Sequence, residues 1–318
     1  MKKNIIEPAF LSEAADRIRP HIHRTPLLSS EILSHKWEVD VRFKCEQFQK
    51  VGAFKARGAM NAALMLSDSE RNRGLCTHSS GNHGQAVAWA AKKLGVPSVV
   101  VMPSNAPRIK KEAVIGYGAE VISCEPTMES RESTLQKVVE DRGMTFIHPY
   151  DQWPTILGQS SCAREILEDW DPDLIMAPIG GGGLLSGTAL TTSVISPKTR
   201  VIGAEPEGAD DAFRSMGSGH PEVNKKTQTI ADGLRTNIGH LTFSILRDLN
   251  IPIGTVSEEE ILEALKEMWT YTKWLIEPSA AVPVALLKKL APEWKGKKVA
   301  VILSGGNMDL EPRSLFRG

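Results

Sequence analysis

Short apolar runs alternate with amphipathic stretches along almost the whole chain. The runs at 41–45, 74–79, 98–102, 120–124, 145–148, 174–178, 200–204 and 298–303 have strand length. None shows the clean every-second-residue alternation of a sheet with one wet face, so these strands are expected to be buried on both sides. Between them, 86–93, 108–117, 131–141, 154–168 and 258–274 read as helices. Strands separated by helices predict a doubly wound, mostly parallel α/β sheet. No internal repeat, low-complexity linker or Pro/Gly-rich boundary divides the chain, so composition draws no domain border.

Composition narrows the class without naming a function. At 318 residues there is room for one large or two ordinary domains. The 38 basic and 38 acidic residues balance, which argues against a nucleic-acid or polybasic membrane partner. The opening MKKNIIEPAF lacks the apolar run of a signal peptide, and nothing approaches a membrane span. Cys45, Cys76, Cys124 and Cys162 lie far apart with no Cys-x-x-Cys pair. They read as reduced thiols of a cytoplasmic protein.

Four segments carry candidate chemistry. In EQFQKVGAFKARGAMN, Lys55 falls at the mouth of a helix among small and apolar residues. A lysine there either snorkels to water or, desolvated, becomes a nucleophile that forms Schiff bases. Gly180, Gly181, Gly182 and Gly183 follow the apolar run LIMAP and precede a helix expected from near Leu184. Glycines at such a turn free backbone N–H groups for a phosphate at the positive end of the helix dipole. A tight turn is the plainer use. Leu185 and Ser186 stand where a dinucleotide fingerprint needs its third glycine, and Thr188 follows Gly187 without a Walker lysine. SSGNHGQ, from Ser79 to Gln85, is dense in donors and suits either a helix cap or a carboxylate or phenolate oxygen. Ser304, after KVAVIL, ends a strand where ligands bind in open α/β sheets, or simply begins a turn.

Together and in this order, these segments resemble the fold-type II pyridoxal-phosphate enzymes, within them the serine/threonine dehydratase and serine racemase group. The resemblance runs through CEPTMESRES, GQSS, AEPEGADD, TIADGL, IEPSA and LSGGN as well, and so covers nearly the whole chain. CEQFQKVGAFKARGA, with Ala53 where many dehydratases carry serine, is most similar to the eukaryotic-type serine racemases and threo-3-hydroxyaspartate ammonia-lyases. The chain stops soon after SGGN, without the regulatory domain of biosynthetic threonine dehydratases.

The resemblance implies an activity: β-elimination of small β-hydroxy amino acids to keto acid and ammonia, joined by serine racemisation. Lys55 would hold pyridoxal 5′-phosphate through its amine and take the Cα proton of the substrate. Phe54 would pack near the cofactor, and Gly180 to Gly183 with Leu184 would bind its phosphate. Asn82 would meet the phenolic oxygen and Ser304 the pyridine nitrogen. A neutral hydroxyl at that nitrogen favours prompt elimination over transamination. Ser79, Ser80, Asn82 and His83 would contact the substrate. Ser80 matches the racemase serine that exchanges a proton on the face opposite the lysine; many threonine dehydratases have alanine there.

Three further expectations follow from the same likeness. Glu205, the Ala209 carbonyl and Asp211 would bind Mg²⁺, Ca²⁺ or Mn²⁺, although acidic residues also belong at a helix start. Arg131 would reach a second substrate carboxylate, or else pair with a glutamate of its own helix. Tyr150 stands where mammalian racemases have asparagine. A small mobile domain of 71–150 would close on a large domain of 1–70 and 151–318, in a homodimer. The alternatives are a threonine dehydratase or hydroxyaspartate ammonia-lyase without racemisation, then a sulfhydrylase, then a non-catalytic phosphate-binding regulator.

Overall fold

The computed structural model describes residues 6–106 and 108–308. Its strands are β1 (Leu27–Ser29), β2 (Asp40–Cys45), β3 (Leu75–His78), β4 (Ser98–Pro103) and β5 (Glu120–Cys124), then β6 (Thr145–Phe146), β7 (Leu174–Pro178), β8 (Arg200–Pro206), β9 (Ile253–Val256) and β10 (Lys298–Leu303). They form two sheets, a larger and a smaller, as the family resemblance implies. Six strands run in the order β1-β2-β10-β7-β8-β9, and four in the order β5-β4-β3-β6. Every pairing is parallel except that of β1 with β2.

Burial on both faces explains the missing alternation. Along β10, Val299, Val301 and Leu303 join a core with Val41, Phe43 and the helix Pro278–Leu290. Ala300 and Ile302 point the other way, into a core with Ile175 and Leu185. Each face is apolar, so the run reads as continuous.

Glycines bring three helices close together behind the site. A Cβ on Gly58 of the helix Lys55–Leu64 would lie 2.8 Å from the Thr155 carbonyl of the helix Trp153–Asp169. One on Gly158 would lie 2.5 Å from the Arg57 carbonyl, and one on Gly187 of the helix Gly183–Ile195 2.7 Å from Ser160 N. Helix Trp153–Asp169 thereby sets the lysine helix and the glycine turn at backbone contact distance from one element.

Candidate active site

The chain enters the lysine helix through a strained turn. Val51 has φ +56°, a left-handed value unusual for a β-branched residue, and Gly52 follows at +67°. Asn307 Nδ2 donates to the Val51 carbonyl at 2.7 Å, and Gly306 N–H to the Gly52 carbonyl at 3.0 Å. Phe54 N–H donates to the Ser304 carbonyl at 3.0 Å, while Ala53 bridges Gly305. The start of the helix is thus tied to the end of β10. Lys55 Nζ donates to the Pro149 carbonyl at 2.8 Å, with the Phe54 and Tyr150 ring centroids 5.1 and 5.9 Å away. Burial lowers this amine to about 8.

The glycine turn lies opposite. Gly182 caps the helix Gly183–Ile195 with φ +90°, and Leu184 behind it is buried. A Cβ on Gly181 would fall 2.3 Å from the Tyr150 ring, so only glycine admits that ring. The N–H groups of the helix start have no intrahelical partners, as an anion site requires.

The donor-rich loop leads from β3 into the helix Asn82–Leu94. Gly81 N–H donates to Ser79 Oγ at 3.2 Å, and Ser80 lies half-exposed in the bend. Asn82 Nδ2 donates to both oxygens of Glu277, at 3.0 and 3.2 Å, and its Oδ1 accepts from Asn307 Nδ2 at 2.9 Å. Burial pushes Glu277 up to about 7 despite the Asn82 amide. His83 Nε2 donates to the Ile147 carbonyl at 2.9 Å, which leaves Nδ1 without a partner among the described residues. Burial first, and then Lys55, holds that imidazole well below its ordinary range, so it is neutral. Ser304 is buried at the end of β10.

Comparison with known proteins decides what this arrangement is. A model of the pyridoxal-phosphate dependent enzyme family matches residues 18–305. The chain belongs to that family. It is 46% identical to a β-hydroxyaspartate dehydratase of Paracoccus denitrificans, over 94% of this chain and 95% of the relative. It is 44% identical to a serine racemase of Dictyostelium discoideum, over 94% of each. The solved structure of maize serine racemase superposes with a TM-score of 0.94 at 41% identity, covering 98% of this chain and 96% of that one. The fold is accordingly that of the fold-type II pyridoxal-phosphate enzymes, and the chain is an enzyme.

The residues suit the family's cofactor: a depressed lysine amine for an aldehyde, a glycine-lined helix start for a phosphate, and polar side chains between them for a ring. Around this centre the structure adds groups that sequence reasoning left unassigned. Pro149 meets Lys55, Glu277 and Asn307 meet Asn82, and Asp151 caps the helix start at His240. Glu277 and Asn307 stand inside IEPSA and LSGGN, yet an acid before a helix and an asparagine in a turn look ordinary.

Arg131 lies on the helix Met128–Arg142, half-buried, its Nε without a partner among the described residues. Burial lowers the nearby His78 imidazole, opposed by the Glu132 charge and aided by that of Arg131.

Glu205 and Asp211 form a second cluster at the end of β8. Both are buried, as is Ala209. Glu205 accepts from Ala212 and Phe213 N–H at 3.0 and 2.8 Å; Asp211 accepts from Ile238 N–H at 2.6 Å and Asn224 Nδ2 at 2.5 Å. Burial raises both carboxyls, Asp211 to about 6, and the neighbouring Asp211 charge raises Glu205 further. Among the described residues no three His, Cys, Asp or Glu side chains gather for a metal, so a cation here would also need backbone oxygen or water.

Proposed function

We propose that this enzyme removes the β-hydroxyl of small β-hydroxy amino acids, releasing keto acid and ammonia, and that it also racemises serine. The observation that carries the reading is Lys55. Its amine is depressed towards neutrality, held by the Pro149 carbonyl and 5.9 Å from the centroid of the Tyr150 ring, which lies against Gly181 of the glycine turn. The dehydratase and racemase activities named for the relatives support it.

Bound pyridoxal 5′-phosphate would act as the electron sink that makes the Cα proton removable. Gly180 to Gly183 with Leu184 would hold its phosphate, Phe54 would flank the ring, and Asn82 and Ser304 would meet its polar edge. Lys55, uncharged for a useful fraction of the time near neutral pH, would take the Cα proton from one face. Ser80 would return one from the other. Ser79, Asn82 and His83 would receive the substrate carboxylate, His83 through its backbone N–H at the helix start, since its side-chain N–H is committed to Ile147. Closure of the four-stranded unit, 71–150, over 1–70 and 151–318 would exclude water.

Glu205, Asp211 and the Ala209 carbonyl would bind Mg²⁺, Ca²⁺ or Mn²⁺, since oxygen donors and two crowded carboxylates suit a hard divalent cation. The four buried free thiols fit a cytoplasmic protein, the family likeness suggests a homodimer, and no helix among the described residues is long and apolar enough to cross a membrane. A second reading, hydroxyaspartate as the main substrate, is favoured by the uncommitted Arg131 Nε, a ready donor to a second carboxylate.

Products from L-serine, L-threonine and L-threo-3-hydroxyaspartate decide among these, with keto acid and D-serine quantified together. D-serine beside pyruvate is expected, and Ser80→Ala should abolish the former while sparing most of the latter. Equal loss of both would remove Ser80 from the mechanism, and keto acid without D-serine would leave a plain dehydratase.

A further inference from the structure

Three consecutive residues touch three different parts of the site. The Pro149 carbonyl accepts from Lys55 Nζ, the Tyr150 ring lies against Gly181, and the Asp151 carboxylate accepts from three successive backbone N–H groups. Those donors are His240 at 3.1 Å, Leu241 at 3.0 Å and Thr242 at 3.1 Å, the first turn of the helix His240–Asp248. That helix has no side-chain cap of its own. Its N-cap is Gly239, where a Cβ would fall 2.1 Å from Asp151 Oδ1. The cap is supplied instead from 89 positions earlier in the chain.

The same turn reaches the glycine loop. Thr242 Oγ1 donates to the Gly181 carbonyl at 2.7 Å, and Gly239 N–H donates to it at 3.3 Å. Thr242 also packs against Gly182, where a Cβ would come within 2.8 Å of it. In a trans peptide the C=O and the following N–H point in opposite directions. Drawing the Gly181 carbonyl towards Thr242 therefore aims the Gly182 N–H away from that helix. With Asp151 occupying the start of helix His240–Asp248, the start of helix Gly183–Ile195 is the one left for an anion.

We propose that Asp151 is a positioning residue for the phosphate end of the cofactor, acting through the first turn of helix His240–Asp248 and Thr242 on the Gly181–Gly182 peptide. This rests on the cofactor reading above. Cofactor-free wild type, Asp151→Asn, Asp151→Ala and Thr242→Val are titrated with pyridoxal 5′-phosphate and with pyridoxal, which lacks the phosphate. Bound-aldehyde absorbance and melting temperature are read for each. Asp151→Ala and Thr242→Val should weaken the phosphorylated aldehyde by about tenfold or more while pyridoxal changes by less than about threefold, and Asp151→Asn should fall between wild type and alanine.

Equal weakening of both aldehydes, the mark of a merely structural role, would overturn the proposal. So would unchanged affinity for the phosphorylated one. If Asp151→Ala does not fold, Thr242→Val decides alone, because it removes one hydroxyl at constant shape. Wild type that takes up neither aldehyde would overturn the cofactor reading itself, and this proposal with it.

Discussion

Beneath the lysine helix four charges are buried together and every one is paired; at the Glu205–Asp211 turn two carboxylates are buried together and no lysine or arginine among the described residues bonds to either. In the first cluster Arg57 grips Glu46 through Nε and one terminal nitrogen, at 2.7 and 2.8 Å, and Glu165 at 2.7 and 2.8 Å. Lys44 Nζ completes it, 2.6 Å from both Glu165 and the Thr25 carbonyl. Burial disfavours each charge, yet Arg57 stays above its ordinary range and Glu46 below, because each is held by the other. In the second cluster N–H dipoles and the charge of Arg214, which bonds to neither carboxylate, do not offset burial, and both carboxyls rise. Balanced buried charge fixes a position; unbalanced buried charge leaves room for a cation. Arg57 stands two residues beyond Lys55 on the same helix, so the balanced cluster holds the start of that helix in place.

The comparison can be broken most forcefully at Arg57. Arg57→Met leaves Glu46 buried without a charged partner and Glu165 with Lys44 alone, and should cost about 3–5 kcal/mol in denaturant unfolding. A loss below about 1 kcal/mol would mean that the cluster anchors nothing.

Glu277 offers an intermediate case, one buried carboxyl answered by an amide. Held near 7 against an ordinary 4.5, it binds its proton more tightly folded than unfolded. Its contribution is full below the unfolded value and is lost as pH rises through about 7, a decline of about 3 kcal/mol for the cofactor-free protein. Glu277→Gln should flatten the stability profile between pH 5 and 7 relative to wild type, to about that extent. Parallel profiles would show that the carboxyl is not buried as described.

The smallest expected effect lies at the unbalanced pair. Mg²⁺ at about a hundred times its dissociation constant should stabilise the protein by about 2.7 kcal/mol, read as a higher melting temperature that a chelator reverses. Glu205→Gln should remove that response. A melting temperature indifferent to Mg²⁺, Ca²⁺ and Mn²⁺ would leave the pair as a helix-start feature only.

The elements that were legible in sequence share one property, continuous apolarity. Of the expected strands, 120–124 and 174–178 coincide with β5 and β7, and 298–303 with β10. β1 escaped notice because it has three residues, and β9 because its four residues hold only Ile253 and Val256 as apolar positions. The break between β3–β6 and the rest is invisible in composition, since strands of both sheets are equally apolar. Lys55 and the glycine turn could be read because their residue types are unusual for their places. Asp151 and Glu277 could not: a carboxylate beside a helix start is commonplace, and only its partner's position reveals its use.

Local pattern by itself determined the α/β class and singled out Lys55 and the glycine turn as candidates, because backbone freedom and burial are written in residue type. Tertiary structure alone decided which charges are paired, which carbonyl receives the Lys55 amine and which helix start is left for an anion. Most of those depend on partners about 90 to 120 positions apart in the chain, as in Lys55 with Pro149, Asp151 with the helix at His240, Arg57 with Glu165 and Lys44 with Glu165. No local pattern encodes such distances; only the packing of the two sheets and their helices sets them.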